Sequence, residues 1–328
     1  MNSAQPNAKL WKIRGDESMA SKSSIAVLIP CKDEAISLGK VVERFRTILP
    51  EATIYVGNNA STDRTEEIAR ELGCIVVNEV QPGKGNMVRK LLRYAQADYY
   101  FLIDGDNTNE VEAAIEMLHL MHSKDLDSVI AKRVTSKGDK QSERPGHLIG
   151  NRVINQIYNL LFKSNLTDVL SGYRLFSDSF VKTFPANSSG FEIEVELSAH
   201  SNLISASVLE VDTTYSSRSD GSESKLRTFR DGFRIIRTIF ALNRRIKPIR
   251  NFVLTSLPLF IAVIYLFSRA LYPYITSGRL ANFPSLILGS GLLVVISVLF
   301  AMSIIMEQAI SNHLSTLNLA KRASSGNV

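Results

Sequence analysis

The sequence predicts an α/β fold, a mostly parallel sheet covered by helices on both faces, followed by a pair of membrane-spanning helices. Two observations predict it. From Ser24 onward, short apolar runs alternate with segments of helical period, and strands alternating with helices of this length favour a parallel sheet. Near the other end, Phe252 to Ser268 is uncharged and continues past Arg269 to Ile275, and Phe283 to Met306 carries no charge at all. At about 1.5 Å per residue either run can cross a hydrocarbon layer about 30 Å thick. Two buried core helices of a soluble protein are the alternative reading.

The elements follow in order. Residues 1–23 are polar and aperiodic, as expected of a disordered tail, and no apolar run before residue 24 suggests a signal peptide. Strands are expected at Ile25–Ile29, stopped by Pro30, and at Thr53–Val56, Ile75–Val77, Tyr99–Ile103 and Ser128–Ala131. Helices fall between them at Leu38–Ile48, Asp63–Leu72, near Asn86–Ala95 and at Val111–Met121. A less regular part adds a long helix at Gly150–Phe162, a short strand at Tyr173–Phe176, a helix at Glu192–Leu203 and a strand at Val208–Tyr215, where apolar residues alternate with period two. These make one cytosolic domain over residues 24–228. Residues 229–250 form a basic juxtamembrane segment, residues 251–308 hold the two spans (about 252–275 and 283–306), and 309–328 are a cytosolic tail.

Composition narrows the class. The 328 residues are 45% hydrophobic and 21% charged with only 2 Cys, which excludes a disulfide scaffold, a collagen-like chain and a wholly disordered one. Cys31 and Cys74 suit a reducing compartment. The net charge is +6, yet the segment Lys225 to Arg250 alone holds nine basic residues and one acid, so the remainder is slightly acidic. That distribution argues against coating nucleic acid and for one local anionic partner. Within it, Phe229, Phe233, Ile236 and Phe240 fall on one side of a helix with Arg230, Arg234, Arg237 and Arg244 beside them, which suits an anionic membrane surface. An ordinary solvated helix is the plainer account. The basic block precedes the first span, Lys321 and Arg322 follow the second, and the loop between is short, so a hairpin with both ends cytosolic is expected.

Ligands of parallel sheets sit at the carboxyl ends of the strands, and the motifs lie there. Phe101-Leu102-Ile103 runs into Asp104-Gly105-Asp106-Asn107-Thr108, two acids spaced i, i+2, whose carboxylates share one side of an extended backbone. They could clamp Mg²⁺ or Mn²⁺ holding a diphosphate, or simply form a turn. Pro30-Cys31-Lys32-Asp33-Glu34 closes the first strand. Asn58-Asn59-Ala60-Ser61-Thr62-Asp63 closes the second, either as helix caps or with Asn58 and Asn59 bonding a base or ribose. Gly83-Lys84-Gly85 opens the helix after the third strand. It is not a Walker A loop, but it is a glycine turn bearing a cation suited to phosphate.

Taken together these stretches resemble glycosyltransferase family 2 with its Rossmann-like GT-A fold, and more narrowly the polyprenyl-phosphate glycosyltransferases, similar to dolichol-phosphate mannose synthase. The order and spacing of four motifs carry the resemblance, which covers about residues 24–228. Ala131-Lys132-Arg133, Gly150-Asn151-Arg152, Asp168 through Gly172-Tyr173-Arg174, Gly190-Phe191-Glu192, and Arg218 through Lys225 resemble that family's acceptor-side segments. Gly172 and Gly190 could equally serve turns, and Arg174 could be a buried partner of Asp168. Cys31-Lys32 stands where the family has an aromatic contact to the base, and Asn58-Asn59 stands for its acidic pair.

The resemblance implies an inverting hexosyltransferase that moves a sugar from a nucleotide diphosphate sugar to polyprenyl (undecaprenyl or dolichyl) phosphate, at the cytosolic face of a prokaryotic plasma membrane. The implied roles are Mg²⁺ or Mn²⁺ on Asp104 and Asp106, and the acceptor phosphate on Arg133, Arg152 and Arg218. Substrate contacts are expected from Pro30, Lys32, Asp33, Glu34, Asn58, Asn59, Asp63, Lys84, Gly85, Asp168, Gly172, Arg174, Glu192 and Lys225. A glycan or diacylglycerol acceptor, or a non-catalytic nucleotide-sensing membrane protein, are the competing readings. No nucleic-acid partner is expected, and self-association is left open.

Overall fold

A computed structural model describes residues 23–135, 145–185, 187–216, 228–278 and 282–325. Its elements divide into two compact units that part within one helix, after Ile239. The first unit is built on strands β1 (Ile25–Cys31), β2 (Thr53–Asn58), β3 (Ile75–Asn78), β4 (Tyr99–Leu102), β5 (Ser128–Thr135), β6 (Arg174–Ser177) and β7 (Val208–Tyr215). They form one sheet in the order β3-β2-β1-β4-β6-β5-β7. Every pairing is parallel except those of β6, which runs antiparallel to both β4 and β5. The chain winds outward from β1 to β3 and returns on the other side of β1 as β4. The reversal of strand order therefore falls between β1 and β4, the position at which sheets of this kind bind ligands beyond the strands' carboxyl ends.

Helices α1 (Leu38–Ile48), α2 (Thr65–Glu71), α3 (Lys84–Tyr94), α4 (Ala113–Ser123), α5 (Pro145–Phe162), α6 (Asp178–Thr183) and α7 (Ile193–Leu203) connect the strands, and α8 (Thr228–Ile246) follows β7. The apolar runs of β1 and β4 are buried on both sides, with Val27, Ile29, Phe101 and Ile103 packed against Leu38, Val42 and Phe45 of α1 in one core. Near-continuous burial is what a parallel sheet covered on both faces demands.

Several boundaries differ from expectation. Pro30 does not stop β1, since the ladder continues through Pro30 opposite Gly57 and Cys31 opposite Asn58. The Asn59 N–H donates to the Cys31 carbonyl and the Ile103 N–H to that of Leu28. Backbone groups alternate between neighbours, so the proline nitrogen faces β4 just beyond the end of that pairing and no bond is lost. Strand β5 runs to Thr135, so Arg133 lies within it rather than after it. Helix α5 begins at Pro145, which sits at its first turn where a missing N–H costs nothing, so Arg152 is inside the helix and does not open it. Helix α6 is capped by Ser177, whose hydroxyl accepts from the Phe180 N–H.

The second unit, Phe240–Leu319, contains α9 (Pro248–Ser277) and most of α10 (Phe283–Ser325). Two stretches, Pro248–Ser277 and Phe283–His313, are long and apolar enough to cross a membrane, and most of their side chains are exposed in the bare chain. Their contacts run in opposite directions. The Ile249 N–H reaches Glu307, the Phe252 and Phe300 rings lie 5.4 Å apart, and Gly289 lets Phe267 approach so closely that a methyl carbon there would lie 2.8 Å from the ring. Gly278, with φ at 66°, ends α9 in the left-handed conformation that glycine adopts without penalty. Helix α10 continues to Ser325, where a separate tail was expected from residue 309.

Candidate active site

At the carboxyl end of β4 the chain leaves the sheet through Ile103 into Asp104 and Asp106. Asp106 is buried, and its Oδ1 accepts from the Thr108 N–H at 3.1 Å and the Thr108 hydroxyl at 2.7 Å. Asp104 stays accessible, with its side chain 32% exposed, and takes Lys84 Nζ at 2.5 Å. Lys84 is the first residue of α3, and the same nitrogen reaches Glu194 Oε1 of α7 at 2.6 Å. Burial pulls the Lys84 ammonium down, and its two carboxylate partners push it back above its ordinary value, so it stays charged. Burial pushes the Glu194 carboxyl up, against the pull of Lys84.

Glycines make this approach feasible. A methyl carbon on Gly172 would lie 2.5 Å from Asp104 Oδ2 and 3.0 Å from Lys84 Nζ, and one on Gly85 would lie 2.3 Å from the Ser188 carbonyl oxygen. On the other side, Cys31 is buried beneath Gly105, where a methyl carbon would lie 2.6 Å from its sulfur, and burial pushes the Cys31 thiol well above its ordinary value. The expected base-contacting position is therefore filled by a small residue packed under the acidic loop, while Lys32 is exposed.

The loops after β1 and β2 fasten each other. Asp33 Oδ1 accepts from the Thr62 N–H at 2.6 Å and from its hydroxyl, and the Asp33 N–H donates to Ser61 Oγ. The Glu34 N–H donates to Thr65 Oγ1, and the Ala35 N–H to Asp63 Oδ2. Asp63 Oδ1 also accepts from the Thr65 N–H and hydroxyl. Asn58 donates to Glu66 and Asn78 and accepts from the Ser61 N–H. Asn59 donates to the Gln81 carbonyl at 2.7 Å and accepts from the Gly83 N–H at 2.7 Å, which shapes the turn carrying Lys84. Both asparagines are buried with both ends bonded inside the protein. Where contacts to a base or ribose were expected, the two amides bond the loop scaffold.

On the β5 side, Asp168 is gripped by the Arg133 N–H at 3.1 Å and by Nε and Nη2 at 2.7 Å each, and the Arg133 guanidinium lies 5.5 Å over the Tyr215 ring. Burial pushes the Asp168 carboxyl up, and Arg133 more than reverses this, leaving it below its usual range. Asp168, expected to touch substrate, is engaged by the Arg133 backbone and guanidinium. Arg174 does not pair with Asp168. It is fully buried and donates to the carbonyls of Ser171 and Val169 and to the Ser198 hydroxyl, so a direct substrate contact is corrected to a structural role under the Asp168–Gly172 loop. Arg152 is exposed on α5. Arg218 and Lys225 lie outside the described residues.

The structure thus brings Lys84, Gly85, Asp104, Asp106, Gly172 and the start of α7 together. Glu194 is the site residue that sequence reasoning missed. Its signal was the run Glu192-Ile193-Glu194-Val195-Glu196, acids that lie buried at the start of a helix. Among the described residues no group of three or more His, Cys, Asp and Glu side chains gathers to hold a metal alone. Two carboxylates with the remaining positions left to phosphate oxygens and water is, however, the donor set that Mg²⁺ accepts, and the residues fit such an ion on that basis.

Comparison with known proteins agrees with this geometry. Residues 26–184 match the model for glycosyl transferase family 2. The glycosyltransferase AglJ of Haloferax volcanii is 32% identical over 220 residues, covering 65% of this chain and 70% of that protein. The low-salt glycan biosynthesis hexosyltransferase Agl6 of the same organism is 28% identical over 232 residues, covering 68% of this chain and 56% of its own. Among solved structures, glucosyl-3-phosphoglycerate synthase from Mycobacterium tuberculosis with Mn²⁺, uridine diphosphate and glucosyl-3-phosphoglycerate superimposes with a TM-score of 0.51 at 17% identity, over 69% of this chain and 80% of that one, a likeness of fold. A sheet that reverses its strand order beside an Asp-Gly-Asp loop, with a relative matched over most of its length, places the chain in one group: it belongs to glycosyl transferase family 2.

Proposed function

We propose that the protein transfers a hexose from a nucleotide diphosphate sugar to polyprenyl phosphate at the cytosolic face of a membrane that α9 and α10 span. The observation that carries this reading is the pairing, in one chain, of the Lys84–Asp104–Glu194 cluster at the β1/β4 switch point with two apolar helices. Agl6 is named a hexosyltransferase, and the mycobacterial synthase carries Mn²⁺ with a uridine nucleotide, which supports the donor class.

Asp104 and Asp106 would hold Mg²⁺ or Mn²⁺, which when bound supplies positive charge against the leaving diphosphate. Lys84 adds a second fixed cation beside Asp104. A lipid monophosphate has a second pKa near 6, so it is already ionised at neutral pH and needs no side chain to take its proton. Its charge must be met instead. Arg133, held by Asp168 through Nε and Nη2, has Nη1 left to offer, and Arg152, Arg218 and Lys225 are the other cations proposed for the acceptor. Direct displacement by the phosphate oxygen forms the new bond as the diphosphate leaves, and so inverts the anomeric carbon.

Basic residues before α9 and after the apolar part of α10 support cytosolic ends. Helix α8 supports a surface location. Its buried side is Ile235 and Ile239, while Phe233 at 72% and Phe240 at 48% remain exposed on a different side, flanked by arginines.

The test is transfer by the full chain in polyprenyl-phosphate micelles against a panel of nucleotide sugars. A labelled polyprenyl-phosphate sugar is expected. Label only in a glycan or in diacylglycerol would change the acceptor, and no turnover with any donor would leave a nucleotide sensor.

A further inference from the structure

The start of α7 holds one polar atom that the reading above leaves unused. Glu192 is only 7% exposed; its Oε1 accepts from the Gly190 N–H at 3.1 Å, but its Oε2 is buried with no hydrogen-bond partner. A buried carboxylate oxygen without a donor is costly, which marks it as a place where something else donates. Gly190 lies beside it. A methyl carbon there would sit 2.7 Å from Glu192 Oε2 and 3.1 Å from Nη1 of Arg234 on α8, so an unbonded carboxylate oxygen and a guanidinium both close on the bare Cα of Gly190. Arg234 does not hydrogen-bond that oxygen, and the backbone at Gly190 is not left-handed, so the glycine is there for space rather than conformation.

The charges around this gap choose its occupant. A phosphate would meet Arg234 but be repelled by Glu192, and a cation the reverse. A hydroxyl suits both, since it donates one hydrogen and accepts on its oxygen. The loop leading into Gly190 packs on the start of α3, where the Asn86 N–H donates to the Ser189 carbonyl and Gly85 meets that of Ser188, next to Lys84 and its partners Asp104 and Glu194, beside which a donor sugar would lie. Polyprenyl phosphate brings no hydroxyl of its own.

We propose that Glu192 and Arg234, flanking Gly190, seat a hydroxyl of the transferred sugar, Glu192 accepting its hydrogen and Arg234 donating to its oxygen. Arg234 is exposed, so the sugar would reach the pair from its side. The inference rests on the glycosyl-transfer reading and deepens it, because it moves Glu192 from the acceptor side to the sugar.

The experiment uses the full-length protein in detergent with Mn²⁺, titrated without acceptor. The probes are UDP, GDP, UDP-glucose, UDP-N-acetylglucosamine and GDP-mannose, and the quantity read is the affinity ratio between a nucleotide sugar and its own nucleoside diphosphate. In Glu192→Gln the amide would keep its oxygen on Gly190 and turn a donor toward the gap. Glu192→Gln and Arg234→Gln should each reduce the ratio about tenfold and leave nucleoside diphosphate affinity and melting temperature unchanged. Arg234→Lys should keep most of it. Should Glu192→Gln fail to fold, the exposed Arg234 carries the test. An unchanged ratio, or an equal loss of nucleoside diphosphate affinity, overturns the seat. An unchanged ratio with lost transfer puts Glu192 and Arg234 on the acceptor side and overturns it too. A wild-type chain that binds none of the five ligands overturns glycosyl transfer itself, and this inference with it.

Discussion

The loops after β1 and β2 and the corner where β4 meets α3 and α7 both carry polar motif residues, yet they are organised in opposite ways. In the first region Asp33, Asp63, Asn58 and Asn59 bond neighbouring backbone and hydroxyls, and the network closes on itself. In the second, Lys84 is shared between two carboxylates, leaving excess negative charge at a buried, partly accessible point. A polar residue satisfied within its own loop builds the scaffold. One held in a charge imbalance at a crevice is poised to meet a ligand.

The Arg133–Asp168 pair tests whether charge on the β5 side is scaffold or chemistry, and has the largest expected effect. Asp168→Ala would strand a guanidinium and should cost about 3–5 kcal/mol of stability, read from denaturant unfolding. Because Asp168 has a lowered pKa in the fold, the pair's contribution is present above the unfolded value near about 3.9 and disappears as pH falls through the lower folded value. The gap in stability between wild type and Asp168→Asn should therefore narrow toward strong acid. A gap that stayed constant with pH would break the assignment.

Next comes the acidic loop. Asp104→Asn should slow transfer by about 10²–10³ and cost less stability than Asp168→Ala, since the side chain is accessible and Glu194 still pairs with Lys84. Full turnover of this variant in excess EDTA would remove Asp104 from the chemistry. Asn59→Ala should show the reverse pattern, a stability loss of about 1–3 kcal/mol with nucleotide affinity nearly intact once folded. Nucleotide affinity falling in a fully folded Asn59→Ala protein would return that residue to the donor site. The smallest structural effect belongs to exposed Arg152: Arg152→Ala should change stability by less than about 0.5 kcal/mol, yet lower transfer to polyprenyl phosphate about tenfold. Unchanged transfer would make it an ordinary surface residue.

Much of this was legible in the sequence. Period-two alternation located β7 at Val208–Tyr215, and apolar runs located the cores of β1, β2 and β4. What failed depends on distance along the chain. The antiparallel direction of β6 follows from its neighbours, and no local pattern in four residues encodes it. Asn58 and Asn59 looked like ligands because their partners, Asn78, Gln81 and Gly83, lie some twenty positions away. Glu194 was invisible for the same reason, since the lysine it neutralises belongs to another helix. Pro145 concealed the start of α5 because proline reads as a breaker except in a helix's first turn.

Cys31 has a practical use that follows from its place under Gly105. A thiol reacts as its thiolate, and here burial suppresses both ionisation and access. Alkylation of Cys31 must therefore wait for the strand end and the Asp104–Asp106 loop to separate, whereas partly exposed Cys74 can be consumed early. Its labelling rate becomes a clock for that opening, and a nucleotide that closes the loop should slow the Cys31 clock while leaving Cys74 unaffected.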